Sequence, residues 1–565
     1  MVSLDPMTRK FARHTSVFLL AVTAFCASTD MTSERLIHAA AEPQNWLTYG
    51  GSYNAWRYSA LNEINRDNVR KLVPVWAFQT GKSEGGFSCT PLVADGIMYI
   101  TSPGNRVFAL NAATGEEIWH YYYALPKTLG LIYGPVNRGV AIGAGLIFMG
   151  TLDNHLVALN SRTGQEVWNV DIEDMRQCGC NITGAPLVVK DKVLVGVTGG
   201  DSAHRGYINA FYVNTGRRAW RFWTIPGPHE SGNETWQSGS WKNGGGATWL
   251  TGSFDPELNL IYWGIGNPAA DLYGGARQGS NLYTDCVVAL DADTGTLKWQ
   301  YQEIPHDVWD WDSAYECILI DKVIDGVSRK LLVHPNKGGY AWVLDRVTGQ
   351  FIAAWRFGEN VNWISGIDSK GSLLGRNEPV KDKPTLICPS VSGSRSWNHA
   401  SFSPQTGLLY TPAMEYCDVI TARDEAPVQG APLFGGGYEM KRPPNAEAGG
   451  HLDAYDPVSG KRQWTYRSKY PLLASTLATA GSLIFSGDPE GHFFALDALT
   501  GEKLWSFSTG SGNRGSPVAF AVNGRQYIAV PTGWGSAVAG AMPQIWPETE
   551  DFPAGATLFV FALPD

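Results

Sequence analysis

The sequence has few charged residues and no dense basic segment. Asp, Glu, Lys and Arg make up 17% of its 565 residues, and the 44 Lys and Arg are outnumbered by 53 Asp and Glu. Without a Lys/Arg cluster to follow a phosphate backbone, nucleic acid is not an expected partner. After the leader described below, no stretch approaches the ~20 apolar residues of a membrane-spanning helix. The sequence therefore predicts a mature protein that does not span a membrane.

The sequence also lacks a Cys-x-x-Cys-His motif, which predicts that this chain carries no covalently attached haem. It has eight cysteines. Removal of Cys26 with a leader would leave an odd number, so at least one thiol has no partner within the chain. Cys178 and Cys180 flank a single glycine, a spacing too tight for an easy internal bridge when bonded cysteines usually place their Cα atoms ~5.5 Å apart.

The N-terminal residues have the pattern of an export signal. Arg9, Lys10 and Arg13 precede an apolar run over 17–27, which is too short to span a bilayer, and small residues at 27 and 39–41 offer cleavage sites. We predict a signal peptide and leader over 1–41, a single domain over 42–565 and a periplasmic location. A short buried helix is the alternative interpretation of the apolar run.

Gly and Trp are abundant, with 64 and 22 copies, and they recur in a fixed pattern. The pattern Ala-x-x-x-x-[Thr/Ser]-Gly-x-x-x-Trp predicts a strand, a tight turn and a second strand whose Trp packs between neighbouring sheets. A degenerate copy passes through Thr348-Gly349. The complete copies cover 109–119, 158–168, 210–220, 289–299, 454–464 and 495–505.

Further hairpins precede these copies and give eight units in all. The eighth unit lacks its Trp strand, but Trp76-Ala-Phe-Gln-Thr-Gly81 near the N-terminus resembles Trp505-Ser-Phe-Ser-Thr-Gly510 and could complete it. We therefore predict an all-β fold, an eight-bladed β-propeller with Trp-tagged blades, closed by an N-terminal strand. Two stacked β-sandwiches are the alternative. The hairpins begin near Pro91, Val140, Pro186, Ser253, Cys317, Ser401, Leu477 and Pro517.

With these repeats, the chain resembles the pyrroloquinoline quinone (PQQ)-dependent alcohol dehydrogenases of the methanol and ethanol dehydrogenase type. The similar segments run from Asn45-Trp-Leu-Thr-Tyr-Gly50 through Arg57-Tyr-Ser59 and Leu61-Asn-Glu-Ile64 to Gly533-Trp-Gly535. The resemblance implies a PQQ cofactor, one Ca²⁺ or lanthanide ion, and oxidation of a small-molecule alcohol to an aldehyde or ketone. It also implies a soluble cytochrome c as electron acceptor, and we include a homodimer among the expected arrangements.

The most informative segment is Pro305-His-Asp-Val-Trp-Asp-Trp-Asp312. Two carboxylates at i and i+2 of an extended backbone point to the same side, which suits a hard cation; an acidic solvated loop is the alternative. By the resemblance, Asp310 is the catalytic base, and Asp310, Asp312, Asn267 and Asp201 are metal ligands. Asp312 matches the extra carboxylate of lanthanide-using members. Asp201 stands where the family has Glu, so its reach is shorter by ~1.5 Å.

The resemblance also implies a set of cofactor contacts. Trp249 would stack on the planar quinone, and the cations would meet its carboxylates. Cys388 and Cys417 match a disulfide of the family. The implied cofactor-binding residues are Arg138, Thr183, Thr198, Gly199, Gly200, Trp249, Lys337, Asn398 and Trp534.

Three departures from the family bear on the substrate. Ser88 stands where a cofactor-contacting Glu is usual, Leu473 replaces a channel Trp, and residues 130–133 lack the adjacent-cysteine disulfide that covers the quinone. These changes predict a less crowded mouth and an alcohol bulkier than methanol, including secondary alcohols. Two alternative functions are a non-catalytic propeller scaffold of the outer-membrane assembly type and a quinoprotein sugar dehydrogenase.

Overall fold

The computed structural model describes residue 1 and residues 31–81, 83–127, 134–237, 239–324, 326–444 and 448–564. The predicted apolar run of the signal and Cys26 lie outside these ranges, as do residues 130–133. Within the ranges, no helix combines the length and the apolar character that crossing a membrane requires.

The described chain contains eight sheets of four or five strands. The strands of the first four sheets follow one another along the chain as antiparallel neighbours. They are Leu92–Ala94, Ile97–Ser102, Arg106–Asn111 and Glu117–Tyr122; Ala141–Gly143, Leu146–Gly150, His155–Asn160 and Glu166–Asp171; Leu187–Val189, Lys192–Gly196, Tyr207–Tyr212 and Arg218–Trp223; Ser253–Asp255, Leu260–Gly264, Cys286–Asp291 and Leu297–Gln302.

The remaining four sheets include the strands that join the chain's two ends. Tyr58–Ser59 lies parallel to the first strand of the seventh sheet, and Val73–Gln79 belongs to the eighth. Their strands are Ile318–Ile324, Val327–Pro335, Tyr340–Asp345 and Phe351–Arg356; Ser401–Ser403, Leu408–Met414, Gly450–Tyr455 and Arg462–Ser468; Leu477–Thr479, Leu483–Gly487, His492–Asp497 and Lys503–Ser508; Val518–Val522, Arg525–Thr532 and Thr557–Ala562.

Smaller elements lie between these sheets. Gly366–Ile367 pairs with Leu373–Leu374, and a three-stranded sheet orders Thr385–Ile387, Cys417–Ala422 and Gly436–Lys441. The α-helices are Ser33–Ile37, Met175–Cys178 and Ala537–Ala541; the 3₁₀ helices are Ala39–Ala41, Val69–Lys71, Asn233–Thr235, Ser240–Asn243, Met542–Gln544 and Pro547–Asp551.

The repeated turn forms because its residue types satisfy its backbone. In the first sheet, the Asn111 side chain accepts a hydrogen bond from the Ala113 amide, and Gly115 adopts φ +75°. In the fourth sheet, the Asp291 carboxylate accepts from the Asp293 and Thr294 amides. Asx side chains and a left-handed glycine therefore close the turn that the pattern predicts.

Tryptophans connect each sheet to the next. Six indole N–H groups donate to backbone carbonyls beyond their own sheet, and the rings of Trp220 and Trp76 lie where a Cβ on Gly295 or Gly115 would collide with them. The six donor and acceptor pairs are Trp119 to Ser161, Trp168 to Val213, Trp299 to Arg346, Trp355 to Pro457, Trp464 to Ala498 and Trp505 to Leu72.

The two ends of the chain meet in the eighth sheet. Val73–Gln79 pairs antiparallel with Thr557–Ala562, with Trp76 opposite Val560. This pairing covers an edge that would otherwise expose unpaired backbone groups. The all-β propeller fold predicted from the repeats is confirmed.

Residues 31–41, which the sequence places in the leader, pack against the sheets. Leu36 is buried, the Met31 carbonyl accepts from the Ala144 amide, and Ser33 Oγ donates to the Lys190 carbonyl. Arg35 pairs with Asp95 at 2.9 Å. This segment therefore makes tertiary contacts typical of a folded domain.

Two disulfides are present among the described residues. Cys388–Cys417 forms as the resemblance implies. Cys178–Cys180 also forms, with its Cα atoms 5.1 Å apart, so the prediction that this spacing is too tight was wrong. The physical reason is Gly179, which follows the helix Met175–Cys178 in a left-handed conformation and folds the second cysteine back onto the first. Cys89, Cys286 and Cys317 are free and buried.

A buried histidine makes stability depend on pH. His451 lies 3.1 Å from Glu415 and 2.7 Å from Asp453. Burial alone would lower its pKa, but these two carboxylates raise it to about 10. A pKa above the unfolded value of about 6.5 means that the imidazolium stabilises the fold fully below that pH and progressively less as pH rises toward 10.

We therefore expect the free energy of unfolding of the wild type to fall between pH 7 and pH 10 more steeply than that of His451→Gln. Urea unfolding at intervals across this range measures the difference, since other titrating groups are common to both proteins. Parallel pH profiles would contradict the assignment.

Candidate functional site

One cavity brings together residues that are far apart in the chain. It encloses about 740 Å³ including its open mouth. Eight residues implied by the resemblance line it: Arg138, Thr183, Thr198, Gly199, Gly200, Asp201, Trp249 and Asp312. Six that the sequence did not single out complete the wall: Val136, Ser396, Trp397, Arg514, Ser536 and Ala537.

Carboxylates converge at one end of this site. Asp201, Asp271 and Asp310 each place an oxygen within 4.8 Å of the others. Asn267 donates from Nδ2 to Asp271 at 2.9 Å and to Asp201 at 3.3 Å. Burial raises the pKa of Asp201 to about 6, with Asp312 adding to the shift and Lys337 opposing it. The cluster is therefore an energetically costly concentration of negative charge in the absence of a cation.

Lys337 offsets part of this charge. Its Nζ lies 3.1 Å from Asp310 Oδ1 and 3.3 Å from Asp312 Oδ2. Burial alone would lower the pKa of Lys337, but Asp310 and Asp312 raise it well above the ordinary value. Trp249 Nε1 donates to the other oxygen of Asp312 at 3.3 Å. Asp312 is thus fixed at both oxygens, and Asp310 is oriented by the ammonium.

The acidic end fits a hard cation. The buried Asn267 Oδ1 has no hydrogen-bond partner among the described residues. A Cβ on Gly200 would lie 2.3 Å from that oxygen, and a Cβ on Gly266 would lie 2.0 Å from Asp312 Oδ1. Glycine at both positions lets oxygen ligands pack closely against the backbone. Carboxylate and amide oxygens form the donor set that Ca²⁺ prefers, and trivalent lanthanides share this hard-ion chemistry.

Two arginines line the cavity beyond the carboxylates. The Arg138 guanidinium lies over the Trp249 ring, 4.9 Å from its centroid, and that of Arg514 lies over Trp397 at 4.5 Å. Neither pairs with a carboxylate in the part of the chain that the structure describes. Burial lowers the pKa of Arg138 to about 10 and that of Arg514 to about 9. Unpaired guanidiniums beside aromatic rings suit a planar anionic ligand such as PQQ, with its carboxylates.

Local hydrogen bonds position this wall. Arg138 Nη1 donates to Thr183 Oγ1 at 2.6 Å, and Thr198 Oγ1 donates to Asn181 Oδ1 at 2.8 Å. Gly199 has φ +99°, and a Cβ there would lie 2.4 Å from the His204 ring. The backbone can follow this tight path only without a side chain at that position.

Some predicted residues are not among those that line the cavity wall. Asn267, Asp310 and Lys337 instead contact one another's neighbours in the adjoining carboxylate cluster. Asn398 lies behind it, where its Oδ1 accepts from the Ser396 amide at 2.7 Å. Trp534 is buried against Phe552, two residues before the lining Ser536. Ser88 and Leu473 are buried and are not among the lining residues.

The sequence reasoning missed Asp271 and Arg514. Asp271 follows the predicted ligand Asn267 by four residues, so an additional carboxylate close to a predicted ligand was the available signal. Arg514 lies in an ordinary Gly-Asn-Arg-Gly segment. Nothing in its neighbourhood distinguishes it from a surface arginine until the chain is folded.

Comparisons with known proteins identify the family of this chain. Residues 46–356 and 468–528 match the family model of the glucose/ethanol/alcohol dehydrogenase β-propeller domain. The chain is 37% identical to the quinoprotein alcohol dehydrogenase PedH of Pseudomonas putida, over 97% of this chain and 96% of that protein. It is 39% identical to the quinohemoprotein alcohol dehydrogenase of Comamonas testosteroni, over 88% and 73%. A solved europium-containing methanol dehydrogenase superposes with a TM-score of 0.88 at 34% identity, covering 94% of this chain and all of that one.

The buried ion pairs of Lys337 lead to a stability prediction. Lys337→Met leaves Asp310 and Asp312 without their cation, and we expect the metal-free protein to lose about 3–5 kcal/mol of unfolding free energy. Added La³⁺ should narrow this difference by supplying positive charge. Urea unfolding with chelator and with La³⁺ makes the measurement.

The matched control is Lys381→Met, which removes an exposed partner of Asp424. Because solvent screens this exposed pair, the change should cost much less unfolding free energy than Lys337→Met. Equal losses of unfolding free energy in the two variants would show that the buried ion pairs of Lys337 stabilise the fold no more than an exposed pair does.

Proposed function

The chain belongs to the family of PQQ-dependent alcohol dehydrogenases, and on that premise we propose that it is a periplasmic enzyme that oxidises an alcohol bulkier than methanol to an aldehyde or ketone. It uses PQQ with one Ca²⁺ or lanthanide ion and passes electrons to a soluble cytochrome c. The carrying observation is a cavity lined by Asp201, which belongs to the carboxylate cluster, by Asp312, and by two buried arginines without an ion-pair partner, Arg138 and Arg514.

The chain's own residues supply the acid–base and positioning chemistry. When bound, PQQ is the oxidant and the metal ion acts as a Lewis acid. Asp310 accepts the substrate hydroxyl proton on a carboxylate oxygen, as general base. Lys337, 3.1 Å away, holds Asp310 in orientation, while Asp201, Asn267 and Asp312 hold the ion.

The remaining lining residues bind the cofactor. Arg138 and Arg514 would pair with its carboxylates, and Trp249 would stack on its ring system. Trp249 also donates a hydrogen bond to Asp312, so one side chain would contact the cofactor and orient a proposed metal ligand.

The contacts between the eight sheets support their arrangement as a ring. We propose that they are eight Trp-tagged blades of one closed ring, because the Trp contacts run from each sheet to the next and Trp76 of the eighth contacts Gly115 of the first. The pairing of Val73–Gln79 with Thr557–Ala562 is the closure. A ring of this kind holds residues from distant sheets in one cavity.

Export is supported by the disulfides of this chain. Disulfides persist in oxidising compartments, and this chain forms two of them.

The tertiary contacts of Met31, Ser33 and Arg35 favour cleavage before residue 31, at the small residues near 27, over cleavage at 39–41. We keep an external cytochrome c as the acceptor because the sequence has no Cys-x-x-Cys-His motif.

The alternatives differ in their use of the site. A scaffold would gain nothing from buried unpaired charges, which cost folding free energy. A sugar dehydrogenase would use the same cofactor and carboxylates, so only its choice of substrate separates it from the proposal.

Reconstitution tests the proposed function directly. We expect apo-protein given PQQ and either La³⁺ or Ca²⁺ to oxidise alcohols in a dye-linked assay. Asp310→Asn should lower kcat by about 10²–10⁴-fold, the contribution of a general base, while PQQ binding followed by absorbance persists. Asp424→Asn, at an exposed position, is the control. No PQQ binding and no oxidation of any alcohol or sugar would support the scaffold instead.

Substrate size is a separate prediction. It rests on the sequence at 130–133, because Ser88 and Leu473 do not line the cavity. If the mouth is open there, each added methylene contributes about 0.8 kcal/mol, and kcat/KM should rise about fourfold per carbon from methanol to 2-butanol. Steady-state kinetics across primary, secondary and sugar alcohols measures this trend. Equal or better turnover of methanol would contradict it, and preference for sugars would favour the alternative.

A further inference from the structure

Asp271 belongs to the carboxylate cluster with Asp201 and Asp310 but has no role in the proposed mechanism. We propose that Asp271 is an additional ligand of the metal ion, and that it supplies the carboxylate contact that the short side chain of Asp201 gives up. The inference rests on the proposed function, since it concerns the same metal site.

The distances allow one ion to contact all three carboxylates. Hard ions of this size bind oxygen at about 2.3–2.6 Å, so two ligand oxygens on opposite sides of one ion are separated by about 4.6–5.2 Å. The oxygens of Asp201, Asp271 and Asp310 all lie within 4.8 Å of one another. Asp271 therefore meets the same distance limit as Asp201 and Asp310, the two ligands that the family resemblance implies.

Asn267 independently indicates an ion at this point. Its Nδ2 donates to both Asp201 and Asp271, while its fully buried Oδ1 has no hydrogen-bond partner among the described residues. Rotation of the amide exchanges these two atoms. With a cation among the carboxylates, the same side chain would direct Oδ1 at the ion, and the unpartnered oxygen would gain a ligand.

The backbone around Asp271 is anchored on both sides. The buried Arg277 donates from Nη2 to the Ala270 carbonyl at 2.7 Å, and the Leu272 amide donates to the Phe434 carbonyl at 2.8 Å. The Asp271 carboxylate itself forms no ion pair with Lys, Arg or His in the part of the chain described. Since an unpaired buried carboxylate is costly, its fixed position is best explained by a cation that the protein binds.

The charge count favours a trivalent ion. Asp201, Asp271, Asp310 and Asp312 carry four formal negative charges when ionised, and Lys337 offsets one of them. The remaining three match a lanthanide and exceed the charge of Ca²⁺. Removal of Asp271 should therefore weaken lanthanide binding more than calcium binding.

The test measures metal binding without turnover. Apo-protein is titrated with Tb³⁺ and with Ca²⁺ for the wild type, Asp271→Asn, Asp201→Asn and the control Asp418→Asn, which changes a buried carboxyl that accepts from the Val391 amide. Tb³⁺ luminescence lifetimes in H₂O and D₂O count the waters bound to the ion. Thermal unfolding without metal establishes that each variant is folded.

We expect Asp271→Asn to weaken Tb³⁺ binding at least about tenfold, to lower the Tb³⁺/Ca²⁺ preference, and to add about one water to the bound ion. Asp418→Asn should leave all three readouts unchanged. If Asp271→Asn fails to fold, Asp271→Glu should bind Tb³⁺ with an unchanged water count.

Two results would overturn the inference in distinguishable ways. Wild-type affinity and water count in Asp271→Asn, with binding weakened in Asp201→Asn, would remove Asp271 from the ligand set and leave the proposed function intact. Failure of the wild type itself to bind Tb³⁺ and Ca²⁺ would overturn the metal site, and the proposed function with it.

Discussion

Buried negative charge is the constraint on which the rest of the site depends. Three aspartates place oxygens within 4.8 Å of one another, and Lys337 contacts Asp310 and the nearby Asp312. In a low-dielectric interior, such a cluster is tolerable only with compensating cations. Lys337 supplies one positive charge, and the oxygen donors suit a metal ion as the second cation. The same charge balance explains why Arg138 and Arg514 have no carboxylate partner from the protein, because an anionic cofactor would supply the negative charge that pairs with them.

The propeller makes this concentration of charge possible. Asx and glycine residues close hairpin turns such as those at Asn111 and Asp291, Trp contacts link each sheet to the next, and the pairing of Val73–Gln79 with Thr557–Ala562 joins the chain ends. These contacts stabilise the fold and offset the free-energy cost of burying the charged groups of the site. It also keeps the functional residues on rigid supports, since Gly200 and Gly266 hold Asn267 and Asp312 against the backbone at distances no other residue would allow.

One departure of this chain from its family lies at the metal end. Asp201 has a shorter side chain than the family's Glu, and the carboxylates of Asp271 and Asp310 lie close to it. In our proposal, Asp271 would supply the oxygen contact that the shorter side chain of Asp201 gives up. Asp201 and Asp271 are far apart in the sequence, so comparison position by position treats them independently. In the folded protein their carboxylates belong to one cluster.

The sequence by itself determined the propeller fold, because the Ala, Gly and Trp spacing states the geometry of each strand and turn, and the resemblance identified most of the cavity wall. It did not determine Asp271 and Arg514, whose importance arises from neighbours distant in the chain. It was also wrong on Cys178–Cys180, since Gly179 adopts a left-handed conformation at the end of the helix Met175–Cys178 and brings the two cysteines together. Asn398 and Trp534 were predicted as contacts but stand behind the wall. Local pattern fixes backbone conformation, while charge balance and ligand geometry exist only after the sheets bring separate segments together.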